Sequence, residues 1–328
     1  MSYPALKRAA TFRYVTKSKQ WLVSMSSIKS ETIILFGEVL ADIFDDRKVF
    51  GGAPFNVARH LQAFGLHPVL ISRIGNDPLG GELLAQIKNT EMDDCGIQRD
   101  DFHPTGQVIV HLEEGGHRFE ILPEQAYDYI HAGMADRIAS TMCPQLIYFG
   151  TLAQRNAISA HALVTLFNSS KAPRLLDINL RKPWYDMSTI EHSLIHADLV
   201  KINQDELDVL ASLFQSPGIS RVQKAAALIK HFNLDSMLVT CGEEGAWQLG
   251  KDSKVTNIDG LVSSRSVVDT VGAGDGFASV YILGLLRGWP IMLTLSRANV
   301  FAAALCEIRG AIPDSSDFYE PFIADWKT

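Results

Sequence analysis

Residues 269–279 form a glycine-rich stretch. The carboxylate of Asp275 lies within it, directly after the second of its three glycines. Glycine occupies every second position from 272 to 276, which suits neither a helix interior nor an ordinary strand. Apolar residues at helical spacing follow directly, and that run ends at Gly288. The pattern therefore predicts a flexible turn that leads into the N-terminus of a helix.

A turn of this kind suits an anion, because free backbone N–H groups and the positive end of the helix dipole lie at the same place. Asp275 lies inside that anion site, where its carboxylate would repel a bound phosphate. The carboxylate makes better sense as the acceptor of a proton from a hydroxyl that attacks the phosphate. Glycine-rich turns before helices are common, so the functional interpretation, which is phosphoryl transfer, depends on Asp275.

Two other glycine motifs are excluded by their spacing. The dinucleotide fingerprint GxGxxG fails because Phe277 occupies the last glycine position, so a Rossmann-type dehydrogenase is not supported. A P-loop fails because its nearest match, residues 245–251, continues with Asp252 where Ser or Thr is needed to hold the metal ion. That near match predicts a strand followed by a polar turn.

Two segments of the chain resemble the signatures of the ribokinase-like (PfkB) sugar kinase family. Residues 269–277, Asp-Thr-Val-Gly-Ala-Gly-Asp-Gly-Phe, match its C-terminal signature. Residues 51–65, which begin Gly-Gly-Ala-Pro-Phe-Asn, match its N-terminal signature. The two lie more than 200 residues apart in the family's order, and their joint occurrence is far more specific than either alone. The resemblance covers the chain from residue 32 onwards.

The resemblance implies an ATP-dependent sugar kinase in which Asp275 is the general base. The backbone N–H groups beside it would hold the charge that develops on the phosphoryl oxygens. Those N–H groups belong to Gly272, Ala273 and Gly274.

On the sugar side, Asp42 follows an apolar strand at 32–36, and a carboxylate there can accept two hydroxyl hydrogen bonds. The resemblance implies that Asp42 grips the sugar, although a loop-capping aspartate is the alternative. It also implies that Gly52 and Asn56 line the sugar pocket. Glycine lets the backbone approach a ligand closely, and the asparagine amide offers both a donor and an acceptor.

The resemblance implies a nucleotide side made from further segments. Residues 237–246 resemble the family's T-x-G-x-x-G element, which places Thr240, Gly242 and Gly245 near ATP. Asn299, within a predicted helix, matches the position that lies near the adenine.

Metal sites are implied by two more matches. Asn203 and Glu206 resemble the family's N-x-x-E motif, with Asn203 beside the nucleotide and Glu206 binding Mg²⁺ through water, since Mg²⁺ keeps several waters and takes one or two protein groups. The same pair also predicts a helix N-cap with a capping box, and both interpretations can hold. Asp269, Val271 and Gly310 resemble a monovalent-cation site for K⁺, in which backbone carbonyls supply most ligands.

The elements that must position these residues predict one doubly wound α/β domain. Continuous apolar runs at 32–36, 68–74 and 146–149 are typical of strands buried in a parallel sheet, whose ligands gather beyond the strand C-termini. Runs at helical spacing, such as 53–64 and 157–167, alternate with them. We expect a mostly parallel sheet with helices on both faces, the ribokinase-like fold.

The alternation of apolar residues between 106 and 122 predicts a β-hairpin. The resemblance implies that the hairpin and a segment near 43–50 form a small β-sheet lid over the sugar, where it excludes water that would compete as phosphoryl acceptor. Such a lid can also build a homodimer interface. We predict a kinase domain at 31–328, with the lid inserted at about 43–50 and 105–122.

Residues 175–181 read as a strand that ends in polar groups and are similar to the family's D-x-N-x-R run. Strand-end position directs Asp177 and Asn179 towards the active-site side. Arg181 could steady a phosphate, although a surface arginine is nearly as common an explanation. Asp77 reads as the cap of the next helix.

Composition and charge narrow the class of protein. The 328 residues are 47% apolar and 20% charged, as in an ordinary soluble globular protein. The net charge of −7 gives no support for nucleic-acid binding, and no apolar run reaches the length of a membrane span. The four cysteines are scattered without a C-x-x-C pair, which favours reduced thiols in a cytoplasm.

Residues 1–30 carry six Lys or Arg residues and no acidic residue. The segment weakly resembles a transit peptide, but it lacks the apolar stretch of a secretory signal. The favoured interpretation is that translation starts at Met25 and that the preceding residues are not part of the native protein. In either case we expect the segment to be poorly ordered.

Residues 37–42 and 119–128 look most like bacterial fructokinases, which favours fructose as the substrate and fructose 6-phosphate as the product. The alternatives are 2-keto-3-deoxygluconate, ribose and a nucleoside. The keto acid would want a cationic clamp, for which Arg118 is the one obvious lid candidate. A sugar or nucleotide sensor that has lost catalysis is a different class, and the intact glycine turn with Asp275 argues against it.

Overall fold

The computed structural model describes residues 31–113, 116–261 and 266–326. The predicted extension at 1–30 and part of the predicted hairpin turn lie outside the described residues. In chain order the strands are β1 Thr32–Phe36, β2 Leu40–Ile43, β3 Lys48–Gly51, β4 His67–Gly75, β5 Ile97–Asp100, β6 Gly106–Glu113, β7 Gly116–Ile121, β8 Leu146–Phe149, β9 Arg174–Asp177, β10 Leu199–Asn203, β11 Ser236–Thr240, β12 Gly245–Gly250 and β13 Val255–Asp259. The helices are α1 Ala53–Ala63, α2 Pro78–Asn89, α3 Ala132–Met142, α4 Ala157–Ser169, α5 Met187–His196, α6 Gln204–Leu213, α7 Arg221–Phe232, α8 Ala273–Arg287, α9 Ile291–Leu305 and α10 Glu320–Trp326.

A large sheet forms the centre of the domain. Within the described residues it has nine strands in the order β13-β12-β11-β10-β9-β8-β1-β4-β5. The strands from β11 to β5 pair in parallel, and β12 and β13 extend the sheet in antiparallel fashion at one edge. The predicted mostly parallel sheet is therefore confirmed.

Helices cover both faces of the large sheet. Alternate residues of β1 belong to different apolar clusters, with Ile34 and Phe36 in one and Ile33 and Leu35 in the other. The first cluster contains residues of α3 to α7, and the second contains residues of α1, α2, α8 and α9. Because strand side chains alternate between faces, this division shows a doubly wound arrangement, as predicted.

In the described part of the chain, a second sheet has four strands in the order β3-β2-β6-β7 and is the small sheet that the sequence predicts; we call it the lid sheet. Asp42 of β2 lies opposite Val49 of β3 and Val108 of β6, and Val110 lies opposite Phe119 of β7. Side chains directly opposite one another share a face of a sheet. Asp42 is therefore on the same face as Val108 and Val110, which are only 4% and 3% exposed.

Two sequence predictions about local structure are wrong. The strand predicted at 175–181 ends at Asp177, and Asn179 has the left-handed φ of 41°, so the chain turns before Arg181. The glycine turn before α8 is also shorter than predicted, since α8 begins at Ala273 and includes two of the glycines.

One of those helical glycines, Gly276, is explained by packing. A Cβ on Gly276 would lie 2.1 Å from Leu305 Cδ1, so a larger residue would push α8 away from α9. Close approach of the two helices offsets the poor helix propensity of glycine.

Within the described residues, no helix combines the length and apolar character that a membrane span requires.

Candidate active site

Asp275 lies in the first turn of α8. Its Oδ2 accepts a hydrogen bond of 2.8 Å from the Asn56 side-chain amide, which lies on α1. The two residues are 219 positions apart in the chain. This bond joins the two sequence signatures in space.

Removal from bulk water raises the pKa of the Asp275 carboxyl to about 6. The Asn56 amide and the cations of Lys201 and Arg181 oppose that rise, whereas the nearby Asp177 carboxylate adds to it. A carboxyl with this pKa is ionised at neutral pH and is a stronger base than an exposed aspartate. It suits a group that must accept a proton near pH 7.

Asp42 and Asn56 converge on the backbone of Gly51. A Cβ on Gly51 would lie 3.6 Å from Asp42 Oδ2 and 3.7 Å from Asn56 Oδ1. Burial raises the pKa of Asp42 to about 6, and the Arg181 cation partly counters it. The predicted sugar-side residues Asp42 and Asn56 therefore lie together, on the side of Asp275 that faces the lid sheet.

Glu38 is a buried carboxylate beside this group that the sequence prediction missed. Its Oε1 accepts the N–H of Ala53 at 3.3 Å. Gly52 has a φ of 107°, and a Cβ at this position would lie only 2.8 Å from the Glu38 carbonyl oxygen, so a residue without a side chain is needed there. Burial raises the pKa of Glu38 to about 7. Glu38 Oε2 and Asn56 Oδ1 are buried acceptors with no hydrogen-bond partner among the described residues. Each is available to a hydroxyl donor.

The first turn of α8 supplies the predicted backbone N–H groups. Gly272 is the N-cap with a left-handed φ of 80°, and the N–H groups of the first helical turn have no partner within the helix. The N–H of Ala273 donates to the Thr270 carbonyl at a long 3.3 Å. The turn therefore presents donors and the positive helix end beside Asp275.

A buried ion pair lies below this turn, and the sequence prediction missed its cation. Lys201 Nζ donates to Asp177 Oδ2 at 2.8 Å, and the Tyr148 hydroxyl donates to the same oxygen at 3.0 Å. Burial alone would lower the pKa of Lys201, but the Asp177 carboxylate outweighs it and the pKa is raised. The signal that could have found Lys201 is a charged residue inside an apolar strand, directly across from an aspartate on the next strand.

Asn203 and Glu206 form the predicted capping box at the start of α6. Asn203 Oδ1 accepts the Glu206 N–H at 2.8 Å, and Glu206 Oε2 accepts the Asn203 N–H at 3.0 Å. Glu206 Oε1 also accepts the Leu180 N–H at 2.8 Å, and burial raises the pKa of this carboxyl. Each carboxylate oxygen keeps a further lone pair, so the residue fits Mg²⁺ that is bound through water.

The predicted nucleotide-side residues lie around the end of the large sheet. Thr240 ends β11 opposite Asn203 of β10, and Gly242 has a left-handed φ of 58° in the turn that follows. Gly245 permits a close approach, since a Cβ there would lie 2.3 Å from the Ile258 carbonyl oxygen. Asn299 donates to the Asp259 carbonyl at 3.2 Å, which ties α9 to β13.

The Asp269 carboxylate holds the two backbone positions that were predicted to share its cation site. Its oxygens accept the N–H groups of Val271 and Gly310, each at 3.0 Å. A Cβ on the neighbouring Gly272 would lie 2.3 Å from the Ala311 side chain, so the two loops pack tightly. The three residues are brought together, and the remaining carboxylate lone pairs fit a monovalent cation.

The PfkB family model, described as pfkB family carbohydrate kinase, matches residues 22–317 of the chain. The chain belongs to this family. The protein is therefore an ATP-dependent sugar kinase, a phosphotransferase that acts on a sugar hydroxyl.

The chain is also similar to individual sugar kinases. An uncharacterized sugar kinase of Pyrococcus horikoshii is 26% identical over 305 residues, which are 85% of this chain and 91% of that protein. Its structure in complex with ATP has a TM-score of 0.74 and covers 89% of this chain and 99% of that one. The fructokinase of Escherichia coli is 26% identical over 249 residues, 72% of this chain and 76% of that protein.

A fructokinase from Vibrio cholerae O395, solved as a double mutant with fructose, ADP and potassium ion bound, shares the fold. Its TM-score is 0.76 at 22% identity, and the match covers 90% of this chain and 99% of that chain. The ribokinase-like architecture that the sequence predicts is thereby confirmed.

Proposed function

We propose that the protein transfers the γ-phosphoryl group of ATP to a hydroxyl of fructose, giving fructose 6-phosphate and ADP. The observation that carries the proposal is the hydrogen bond of 2.8 Å between Asn56 and Asp275. This bond brings the amide of Asn56, which lies on the sugar side, into contact with the carboxylate of Asp275, which lies beside the proposed anion-binding turn of α8.

Asp275 is the proposed general base. Its carboxylate takes the proton of the sugar hydroxyl while that oxygen forms a bond to the γ-phosphorus and the bond to the β-phosphate oxygen breaks, leaving the electron pair on ADP. The N–H groups of Gly272, Ala273 and Gly274 stabilise the charge on the phosphoryl oxygens in the transition state. With a pKa of about 6, the base is ready in its ionised form at neutral pH.

The sugar is held by acceptors. Asp42 takes two hydroxyl hydrogen bonds, and Asn56 Oδ1 and Glu38 Oε2, which are buried acceptors without a protein partner among the described residues, take others. Gly52 keeps the backbone close to the sugar. A pocket of this kind suits a neutral polyol, because every hydroxyl is a donor.

ATP is proposed to lie along the opposite side of Asp275. Thr240, Gly242 and Gly245 contact the phosphates and ribose, Asn299 lies by the adenine and Asn203 by the phosphates. Glu206 would hold Mg²⁺ through water, and Asp269 with Val271 and Gly310 would hold K⁺. When bound, Mg²⁺ neutralises charge on the phosphates of ATP.

Fructose is favoured over an acidic sugar by two observations. The E. coli and V. cholerae relatives are fructokinases, and the latter structure contains fructose. Arg118, the one lid cation that we considered as a carboxylate clamp, lies opposite His111 and so on the face of the lid sheet away from Asp42. It is also 3.8 Å from the Glu120 carboxylate.

A second candidate substrate is 2-keto-3-deoxygluconate, and Arg181 favours it. The Arg181 cation is close enough to lower the pKa of Glu38, Asp42 and Asp275. A cation near these three carboxylates could also bind a substrate carboxylate.

The test is the rate of ADP release with Mg·ATP and fructose, ribose, 2-keto-3-deoxygluconate, glucose or adenosine. We expect the highest kcat/KM with fructose, and an Arg181→Gln variant should change kcat/KM for fructose little. Highest kcat/KM for the keto acid, lost in Arg181→Gln, would replace fructose by that acid. ATP binding without turnover of any member would favour the sensor hypothesis.

A homodimer through the lid sheet is a further part of the proposal. Val49 of β3 and Phe119 of β7 are 37% and 48% exposed, so the two outer strands of that sheet present apolar surface that a second copy could cover. Light scattering that gives the mass of a monomer at all concentrations would contradict it.

A further inference from the structure

We propose that Lys201 is a further residue of the phosphoryl-transfer site, where its ammonium group lies against the first turn of α8 and binds the transferred phosphoryl group. This inference rests on the proposed function, because it assigns the anion site to the turn beside Asp275. Its support is the position of Lys201 in the sheet, its partner and the room beside Gly274.

Lys201 is the middle residue of β10, between the buried residues Val200 and Ile202. Its side chain is only 8% exposed. An apolar residue would fill this place in a parallel sheet at no electrostatic cost, whereas a buried ammonium must be paired. A charge at this position therefore needs a reason beyond packing.

Lys201 and Asp177 are directly opposite one another on β10 and β9, so their side chains share a face. Residues of this face pack against α8, since Leu175 and Tyr148 belong to the same apolar cluster as α8. The carboxylate takes its hydrogen bond of 2.8 Å from Lys201 and a second from the buried hydroxyl of Tyr148. Asp177 thus fixes the ammonium below the N-terminus of α8.

The ammonium reaches the helix beside Gly274. A Cβ on Gly274 would lie 3.7 Å from Lys201 Nζ, which is an ordinary contact distance. This distance brings a full positive charge to the turn whose N–H groups already face the proposed anion. Lys201 also lowers, and Asp177 raises, the pKa of Asp275, one residue further along.

Close packing explains two of the three glycines at the start of α8 but does not explain Gly274. A Cβ on Gly272 or Gly276 would lie 2.3 Å from Ala311 or 2.1 Å from Leu305, so packing accounts for both. Gly274 meets no such clash, and its contact within 4 Å is Lys201. Packing therefore does not explain the glycine at 274, and the position of its missing side chain lies against the ammonium.

The chemistry requires such a charge. An ammonium has three donors, and Asp177 takes one of them in the only hydrogen bond that Lys201 makes within the described part of the chain. The remaining donors can meet phosphoryl oxygens, whose negative charge is shared among three atoms as the group transfers. Lysine is a compact point charge of the type that binds phosphate.

The test compares the wild type with Lys201→Met, with the double variant Lys201→Met/Asp177→Asn, and with Lys224→Met as the matched control. Lys224 makes an ion pair of 2.8 Å with Asp208, away from the site. The measurements are kcat, the KM of each substrate, and the affinity for Mg·ADP with and without aluminium fluoride, which resembles the transferring phosphoryl group.

We expect Lys201→Met to lower kcat about 100-fold, the usual effect of removing one transition-state donor, with the sugar KM within about threefold of the wild type. The tighter binding of Mg·ADP that aluminium fluoride produces should be lost. Lys224→Met should behave like the wild type in all three measurements.

The double variant decides between binding of the phosphoryl group and mere neutralisation of Asp177. It leaves no unpaired charge in the core, so it should fold even where Lys201→Met does not. Its kcat should stay low. Recovery of kcat to within about threefold of the wild type would overturn the inference, since a merely structural lysine would then be dispensable.

Failure of the two proposals can be told apart. A wild-type protein that phosphorylates no sugar of the panel would contradict the proposed function, but the fluoride measurement needs no turnover. Equal tightening by aluminium fluoride in the wild type and in Lys201→Met, or no tightening in either, would overturn the role of Lys201 alone.

Discussion

The sugar side and the nucleotide side of Asp275 are built in different ways. On the sugar side, Asn56 and Glu38 are each 5% exposed, and Asn56 is bonded to the base. On the nucleotide side, Gly242 and Asn203 are exposed. The sugar side includes buried polar side chains, whereas the nucleotide side includes a turn that is exposed at the surface.

This difference has a physical consequence. Electrostatic and hydrogen-bond interactions are stronger in buried surroundings than in water, so each polar side chain of the sugar side carries much of the recognition. Recognition by backbone N–H and C=O groups does not depend on side-chain identity. Replacing one side chain should therefore have a large effect on the sugar side and a small one on the nucleotide side.

The largest effect is expected for Asp275→Asn. The substitution keeps the shape and an acceptor for Asn56 but removes the proton acceptor, so kcat should fall about 1,000-fold or more. Steady-state kinetics with ATP and the preferred sugar measure it, and the melting temperature should show that the fold is kept. A kcat close to that of the wild type would remove Asp275 from the mechanism.

Asp42→Asn should raise the sugar KM about 30-fold and leave the KM for ATP unchanged, because a hydrogen bond to a charged acceptor contributes about 2 kcal/mol. The nucleotide side then serves as the internal control. Equal increases in both KM values would show that the two sides are not separate.

The sugar side should also respond to pH. Asp42 and Asp275 have raised pKa values of about 6 and Glu38 has one of about 7, so these three carboxylates gain protons as the pH falls through that range. A protonated Asp275 cannot accept the proton of the sugar, and kcat/KM for the sugar should fall about tenfold per pH unit on that limb for each group that must be ionised.

The pH–rate profile of kcat/KM from pH 5 to 8 measures this dependence. In Asp42→Asn the slope of the limb should fall by one group, and the part caused by Asp275 should remain. A flat profile down to pH 5 would contradict the assignment of a base with raised pKa.

The smallest effect is expected for Asn299→Ala on the nucleotide side. Asn299 lies near the surface, and its amide is bonded to the Asp259 carbonyl at 3.2 Å. We expect the KM for ATP to rise about threefold with kcat unchanged, because an exposed hydrogen bond contributes about 0.5–1 kcal/mol. An increase above that of the sugar KM in Asp42→Asn would invert the comparison between the two sides.

Much of the fold could be predicted because its strands are short runs of apolar residues buried on both faces. The predicted bounds 32–36 and 146–149 are those of β1 and β8. The run at 175–181 misled the prediction because its second half continues to look extended, whereas Asn179 takes a left-handed turn. Local patterns do not report such a turn.

Some residues of the candidate site could be predicted from the sequence and others could not. Asp42, Asn56 and Asp275 could be named because they belong to recognisable sequence signatures, and their proximity is a property of the fold. Glu38 and Lys201 could not, since one reads as a loop residue and the other as a polar residue in a strand. Their burial depends on partners that are distant in sequence, such as Ala53 and Asp177.

The most direct test of the account is to follow the phosphoryl group itself by ³¹P NMR, with the wild-type protein, Mg·ATP and fructose. We predict that the γ-phosphate signal of ATP is replaced by a sugar monophosphate signal in equal amount to the ADP formed. ADP with inorganic phosphate, or an unchanged spectrum with fructose and with every other sugar of the panel, would contradict the proposed transfer to a sugar hydroxyl.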